Sequence, residues 1–518
     1  MFLSDVVAFL GISVAGMRAR RWIRPVPVFA PLMAVAQVLV EGPRWQLLPA
    51  YLLTVLFTLV WMGQNLASRR GDNKPNRSQA IAGVAARGLG ALSLVIAAAV
   101  PILFPVFRFA RPSGPYAIGT VTYHWVDTSR ADAFGADPND RRQLMVQIWY
   151  PSQANPSAHH VAYMPDAEAV TAALARLQDK PTFLFGHFKY VTSNAMSSVP
   201  AADDHPRYPV LLFLEGATGF RQMNTFQVEH LVSNGYIVVA IDQPGAAAVV
   251  VFPDGQQLAG LTIPQFRTVV RPSYMTAGMD SPQKRVLLPN GSSLHEHSII
   301  PYLAQDVSYT LDQLAALNVA DPNGILAGKL DLQRVGAFGV SLGGIVVGDA
   351  CRMDVRLRAC LVMDAPMSVA VVMAGLQRPA MWLTRDAASM RLERQRAGGW
   401  PEAEIDAHQT SMRAVYDGLL GDGYFVRVPG MFHVNFTDTP NWTPLSRQMG
   451  LAGPIDAQRA HGIVNAYSLA FFDKHLLGRP ATLLDGSATQ YPEVLFESRR
   501  PGPRAQSVES ARSPTAPR

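Results

Sequence analysis

The chain has 518 residues, enough for two or three domains, and a formal net charge of +6. That charge is unevenly placed: the residues up to Pro115 carry +9 and the remainder −3, so the soluble part lacks the basic face that nucleic-acid binding requires. Two cysteines, Cys351 and Cys360, exclude a disulfide framework.

In chain order, four apolar runs come first: Phe2–Met17, Val26–Val40, Leu47–Leu66 and Gly88–Phe109. Spanning the hydrocarbon core takes about 20 apolar residues. The third and fourth runs meet that length and the first two are shorter. A cleavable signal peptide does not fit, because the first run has no basic segment before it and more apolar runs follow. Residues 1–112 are therefore expected to form a membrane segment, an N-terminal bundle of about four transmembrane helices. Cations concentrate in Arg18–Arg24 and Arg69–Arg87, whereas Glu41–Gln46 holds one charge of each sign. Placing the two basic loops in the cytoplasm leaves everything after Arg111 outside it, so a multi-pass membrane protein with an extracytoplasmic catalytic domain is expected. An odd number of spans would reverse that.

Residues 113–498 alternate apolar runs with helix-length segments. Strands are predicted at Leu144–Tyr150, Val210–Leu214, Tyr236–Ile241, Arg334–Phe338, Ala359–Met363, Ala380–Thr384 and Tyr424–Val428. Helices are predicted at Asn224–Asn234, Ile300–Leu317, Gly343–Cys351 and Ala460–Leu477. Short, nearly continuous apolar runs suit a mostly parallel sheet with helices on both faces, the α/β class. Two excursions, Ala154–Pro206 and Phe252–His297, break the rhythm and read as lids, binding loops or disorder. Residues 499–518 are rich in Pro, Ser, Ala and Arg and read as a disordered tail. Nothing in the spacing of Cys351 and Cys360 demands a bridge, and two buried free thiols are expected.

The chemistry concentrates in Gly339-Val340-Ser341-Leu342-Gly343, between a strand and a small-residue helix start. Acyl transfer needs a serine oxygen exposed on a sharp strand-to-helix turn, which leaves no room for side chains at positions 339 and 343. Ser341 is the predicted nucleophile, and the Leu342 N–H faces the developing oxyanion. In an α/β-hydrolase the acid and then the base follow in the chain. Asp364 ends the strand Ala359–Met363, where it acts as triad acid or caps the next turn. Of His408, His433, His461 and His475, His433 lies just past the strand Tyr424–Val428, where a base belongs rather than an ordinary surface histidine. A second oxyanion amide is assigned to Ala217, in the loop after Val210–Leu214. His295-Glu296-His297 reads as solvated residues without a third metal ligand, and no phosphate loop or dinucleotide-binding glycine array occurs.

Several stretches resemble the platelet-activating-factor acetylhydrolases of the plasma and intracellular type II family. They are Gly114–Gly119, Trp149–Ser152, Gly216–Arg221, the serine turn, Leu361–Ala365 and Gly430-Met431-Phe432-His433-Val434-Asn435-Phe436-Thr437-Asp438. They fall in the family's order over Gly114 to Leu477. The resemblance implies the α/β-hydrolase fold, a triad of Ser341, Asp364 and His433, oxyanion amides at Ala217 and Leu342, and no metal or organic cofactor. It also implies short-chain acyl phospholipids or other small amphiphilic esters as substrates; the membrane segment lies outside the resemblance, and the apolar N-terminal runs are what make the bilayer an expected partner. Departures from the family lie at Glu215, Val340, Leu342 and Pro366, all expected to line the pocket. General esterase, polyester hydrolase and peptidase activities remain alternatives on the same triad, and so does a membrane sensor or scaffold with an inactive hydrolase domain.

Overall fold

The computed structural model describes residues 5–7, 9–10, 26–67, 77–135, 137, 139–153, 155, 157–274, 285–287, 293–295 and 299–500. It divides into two units: Met1–Phe107 with Trp442–Leu445, and Arg108–Asn441 with Ser446–Arg518.

The first unit contains helices Val26–Glu41, Leu48–Ala67 and Arg77–Leu103. Ala50, Leu53 and Phe57 pack against Leu94 and Ala97. The outward side chains of the last two helices are themselves apolar, Leu52, Leu56, Leu59, Leu89, Leu92 and Val95 among them. Two stretches have the length and composition to cross a membrane: Trp45–Gln64, with mean hydropathy 1.6 over 20 residues, and Ile81–Leu103, with 1.9 over 23. The expected bundle of about four transmembrane helices is not supported. The second apolar run forms a helix too short to span, Phe29–Glu41, and most of the first run lies outside the described residues. So do the basic stretch Arg18–Arg24, residues 69–76, and the tail beyond residue 500.

The second unit is built on an eleven-stranded mixed sheet. Among the described residues its strands are β1 (Ala117–Ala131), β2 (Arg141–Ser152), β3 (His160–Ala162), β4 (Thr192–Ser197), β5 (Tyr208–Leu214), β6 (Ile237–Asp242), β7 (Val249–Val251), β8 (Gln257–Ala259), β9 (Arg285–Leu287), β10 (Ser293–His295), β11 (Leu330–Val340), β12 (Leu357–Met363), β13 (Ala380–Thr384), β14 (Gly423–Arg427) and β15 (Leu495–Arg499). The sheet order is β15-β14-β13-β12-β11-β5-β6-β2-β1-β4-β3, and β7–β8 and β9–β10 are separate two-stranded ribbons. The six central strands, β6, β5, β11, β12, β13 and β14, run parallel, while β2 and β15 border them antiparallel.

Alternation along each central strand feeds two cores. Val210, Leu212 and Leu214 of β5 pack with helices Ile299–Val319 and Leu342–Met353 on one face. Leu211 and Phe213 pack with helices Thr225–Ser233 and Ala457–Leu477 on the other. A strand buried on both faces has no polar positions to spare, which is why these segments read as continuous apolar runs.

Two expectations need correction, and one holds in part. Ala154–Pro206 is neither lid nor disordered: it folds into β3, helix Ala167–Leu177 and β4, extending the sheet edge. Phe252–His297 supplies β8 and helix Ile263–Val270, while residues 275–284, 288–292 and 296–298, including most of His295-Glu296-His297, lie outside the described residues. Cys351 and Cys360 are not free thiols but a disulfide, joining helix Leu342–Met353 to β12. Nine residues apart in sequence, they are brought together because that helix packs back on the strand it precedes.

Candidate active site

The parallel strands deliver their C-terminal ends to one edge of the sheet, where ligands of open α/β folds bind. β11 ends at Val340, and Ser341 adopts φ 57°, ψ −122° before helix Leu342–Met353 begins. A positive φ in a side-chain-bearing residue is costly and persists only where the surroundings enforce it. Here they do so through two glycines. A Cβ on Gly339 would sit 2.5 Å from the Gly343 carbonyl carbon, and one on Gly343 only 2.1 Å from the Leu214 carbonyl oxygen. Main chain cannot yield as a side chain can, so both positions require glycine. The Ser341 N–H donates to the Met363 carbonyl at 3.0 Å, tying the turn to β12.

Asp364 follows β12 directly, also at positive φ, and is fully buried. Its Oδ2 lies 2.6 Å from His433 Nδ1. Thr384 Oγ1 donates to Oδ1 at 2.9 Å, and Arg385 Nε approaches the two oxygens at 3.2 and 2.9 Å. Burial alone would push this carboxyl up, but the Arg385 charge and the His433 hydrogen bond outweigh it and hold the group well below the usual carboxylate range.

His433 is held by the residues after it. Asn435 Oδ1 accepts from the Phe432 and Gly453 amides, both at 2.8 Å. Asp438 accepts from the Thr225 and Phe226 amides at 2.8 and 3.1 Å and from Tyr163 Oη at 3.0 Å. The polar positions of His433-Val434-Asn435-Phe436-Thr437-Asp438 therefore have distinct tasks: Asn435 shapes the turn and Asp438 clamps it to helix Thr225–Ser233. His433 keeps a quarter of its side chain exposed and lines one cleft together with Ser341, Gly216, Ala217, Met223, Phe266 and Trp400.

The loop bearing Ala217 abuts the serine, since a Cβ on Gly216 would lie 3.2 Å from Ser341 Cβ. The Thr218 N–H donates to the Ala246 carbonyl at 2.7 Å, fixing the loop from behind. Leu342 provides the first amide of its helix, where backbone N–H groups point outward and the dipole favours negative charge. The structure thus brings Ser341, Asp364, His433, Ala217 and Leu342 to one place.

Phe266, Tyr274, Trp400, Glu404 and Ile345, which were not singled out from sequence, line the site together with Pro366 and His408, which were. His408 is buried, 3.9 Å from Asp364 Oδ1, and burial pushes its imidazole down to about 3, so it is a neutral neighbour rather than a second cation. Glu215, where the resembling family carries histidine, is fully buried, and burial followed by the charge of Asp242 pushes its carboxyl well above the usual range. His461 stacks on Phe226 and bonds the Thr437 carbonyl, and His475 meets Tyr424 Oη, both away from the cleft. Among the described residues no group of His, Cys, Asp and Glu is arranged to hold a metal ion.

Residues 103–270 match the family "platelet-activating factor acetylhydrolase, isoform II". The probable 1-alkyl-2-acetylglycerophosphocholine esterase of Arthroderma benhamiae is 24% identical over 420 residues, covering 75% of this chain and 94% of that protein. Platelet-activating factor acetylhydrolase of Cavia porcellus is 22% identical, over 71% of this chain and 77% of its own. A ferulic acid esterase from Streptomyces cinnamoneus, solved at 2.4 Å resolution, superposes with TM-score 0.55 and 27% identity, over 76% of this chain and 99% of that one. With that fold, that cleft and those relatives, the chain is a serine carboxylic ester hydrolase resembling the platelet-activating factor acetylhydrolases.

Proposed function

We propose that Ser341, His433 and Asp364 form the triad of an acyl-enzyme mechanism. His433 Nε2 takes the Ser341 Oγ proton as Oγ bonds the ester carbonyl carbon, and returns it to the departing alcohol oxygen; water then repeats the sequence on the acyl-enzyme. Asp364 holds the Nδ1–H tautomer, and the Ala217 and Leu342 amides stabilise the tetrahedral oxyanion. The observation that carries this reading is the 2.6 Å contact of buried Asp364 with His433 in the cleft that Ser341 lines.

The substrate we infer is a small amphiphilic ester, with short-chain acyl glycerophospholipids foremost because both curated relatives are named for such lipids. A second reading, an aromatic acyl group, is favoured by Phe266, Tyr274 and Trp400 along the cleft and by the ferulic acid esterase likeness. We further infer a membrane segment over residues 1–112, a catalytic domain over 113–498 and a tail over 499–518. On this reading Trp45–Gln64 and Ile81–Leu103 cross the bilayer as a pair, and the catalytic domain lies outside the cytoplasm. The Cys351–Cys360 disulfide supports that side, since such bridges persist in oxidising compartments.

A fluorophosphonate probe on the purified chain, with a panel of acetyl to long-chain glycerophosphocholines and a feruloyl ester, tests both parts. Labelling is expected at Ser341 and absent in Ser341→Ala. Unchanged labelling in that variant rejects the nucleophile, and preferential feruloyl turnover moves the substrate to the second reading.

A further inference from the structure

Arg385 follows β13 directly, and its side chain is fully buried. A guanidinium cannot shed its charge, so burial demands anionic partners. It has two. Nε lies 2.9 Å from Asp364 Oδ2, and Nη1 pairs with Glu393 on helix Ala387–Ala397. Its flat face lies over the Trp400 ring, 4.2 Å from the centroid, and the same ring meets His433 edge-on at 4.9 Å. Glu393 completes the circuit by accepting the His433 backbone N–H at 3.3 Å. One side chain therefore touches the acid directly and reaches both the ring and the backbone of His433 through one intermediary each.

We propose that Arg385 is a positioning residue for the hydrolysis, fixing the Asp364 carboxylate against His433 and supplying the charge that keeps it a carboxylate. This rests on the triad reading above. A base that is to take the Ser341 proton has to start neutral, so without Arg385 the carboxylate would be a buried anion with no cation beside it. A carboxyl so placed takes up a proton and donates to Nδ1 instead of accepting from it. The imidazole proton then sits on Nε2, which can no longer receive the Ser341 proton. Arg385 prevents that inversion. The other charged or titratable groups around Asp364 are Glu393 from helix Ala387–Ala397, His408 and Glu404 from helix Glu402–Gly418, and Arg271, which pairs with Glu404 at 3.0 Å. Of these only Arg271 is a cation, since burial keeps His408 neutral, and Arg271 pairs with Glu404 and not with Asp364.

The test uses the full-length chain in detergent micelles with 4-nitrophenyl acetate, reading kcat and KM across the histidine titration range. Arg385→Gln is expected to lower kcat by about tenfold to hundredfold with KM within about twofold. It should also move the acid limb of kcat/KM up by about one pH unit, because the Asp364–His433 pair then keeps a proton longer. Arg385→Lys restores charge without the planar fork, so it should return the acid limb to its parental position while recovering only part of kcat. Should Arg385→Gln fail to fold, Glu393→Gln serves: removing that anion is expected to lower kcat severalfold and to move the acid limb the opposite way. A folded Arg385→Gln with parental kcat and pH profile overturns the proposal, as does an unaltered Glu393→Gln. Asp364→Asn run alongside separates the two levels. If it keeps parental turnover the triad reading fails, whereas an inactive Asp364→Asn beside an unchanged Arg385→Gln removes only the role of Arg385.

Discussion

Glu215 stands one residue before the glycine that meets Ser341, and its Oε1 accepts the Gln243 N–H at 3.1 Å. With its carboxyl pushed up by burial and by Asp242, it folds most favourably as the neutral acid. The sign follows: the unfolded chain gives up this proton near pH 4 and the folded chain only at higher pH, so stability is fully present below the unfolded value and drains away as pH rises toward the folded one. Glu215→Gln keeps the acceptor and removes the ionisation. Thermal melts should show equal Tm for parent and variant near pH 4 and a more stable variant at pH 8, and an equal gap at both would reject the protonated state. At the proposed triad, kcat/KM should rise with pH through a single ionisation and level off, and Asp364→Asn should cost on the order of 10⁴ in kcat by the serine-protease precedent. A His433→Ala enzyme with near-parental rate, beside an essential His408, His461 or His475, would overturn the base assignment. Ser341, Asp364 and His433 could be read from sequence because each sits at a fixed offset from a recognisable strand end. Arg385, Glu393 and Trp400 could not, since only folding brings the residue after β13, helix Ala387–Ala397 and the segment that follows it together at Asp364 and His433, and Thr384-Arg385-Asp386 looks like an ordinary polar turn. The one available signal was an arginine at the C-terminal end of an apolar parallel strand, a place where charge has to be answered.

The same division holds for whole elements. β13 was read with its observed bounds and β5, β6, β11, β12 and β14 within a few residues, because burial on both faces leaves an uninterrupted apolar run. β1 went unread: its second half exposes alternate residues, and the polar positions Thr120, Thr122, His124, Asp127 and Thr128 hide a fifteen-residue strand. β3 was missed because it has three residues, and β4 because at the sheet margin its sequence is mostly polar, Thr192, Ser193, Asn194 and Ser197. Helix Leu342–Met353 is the element where sequence and packing constrain each other most tightly. Gly343→Ala would drive a methyl into the Leu214 and Glu215 carbonyls, with no side chain able to move aside. We expect a loss of about 3 kcal/mol or more, read as a much lower Tm or insoluble chain. Gly462, within helix Ala457–Leu477, faces open space. Gly462→Ala should gain about 0.5–1 kcal/mol, because alanine gives up less backbone freedom in a helix. A gain from both substitutions would mean that helix propensity, and not the backbone contact at Gly343, decides the sign.

At the scale of the molecule, two independent features bear on the proposal that the hydrolase works outside the cytoplasm. One is charge: between Trp45–Gln64 and Ile81–Leu103 the sequence holds Arg69, Arg70, Lys74 and Arg77 against Asp72 alone. A short loop of that composition stays in the cytoplasm, so a chain that crosses before and after it emerges on the far side. The other is the Cys351–Cys360 bridge, buried where reductant cannot readily reach it and closing a loop that should contribute about 3 kcal/mol. Neither depended on the other, and the sequence alone pointed to free thiols, because the closeness of the two cysteines arises only when helix Leu342–Met353 folds back on β12. The shared expectation is an extracytoplasmic hydrolase. A phosphatase reporter that matures only outside the cytoplasm, fused after Arg518, should be active, and the same fusion with a reporter that works only inside should be silent. In the parent chain taken directly from cells, alkylation under denaturing conditions should find no free thiol at position 351 or 360. Replacing both cysteines with alanine should lower Tm while leaving KM for a soluble ester unchanged. A reporter active only in the cytoplasm, together with two alkylated cysteines, would place the catalytic domain inside and leave the basic loop unexplained.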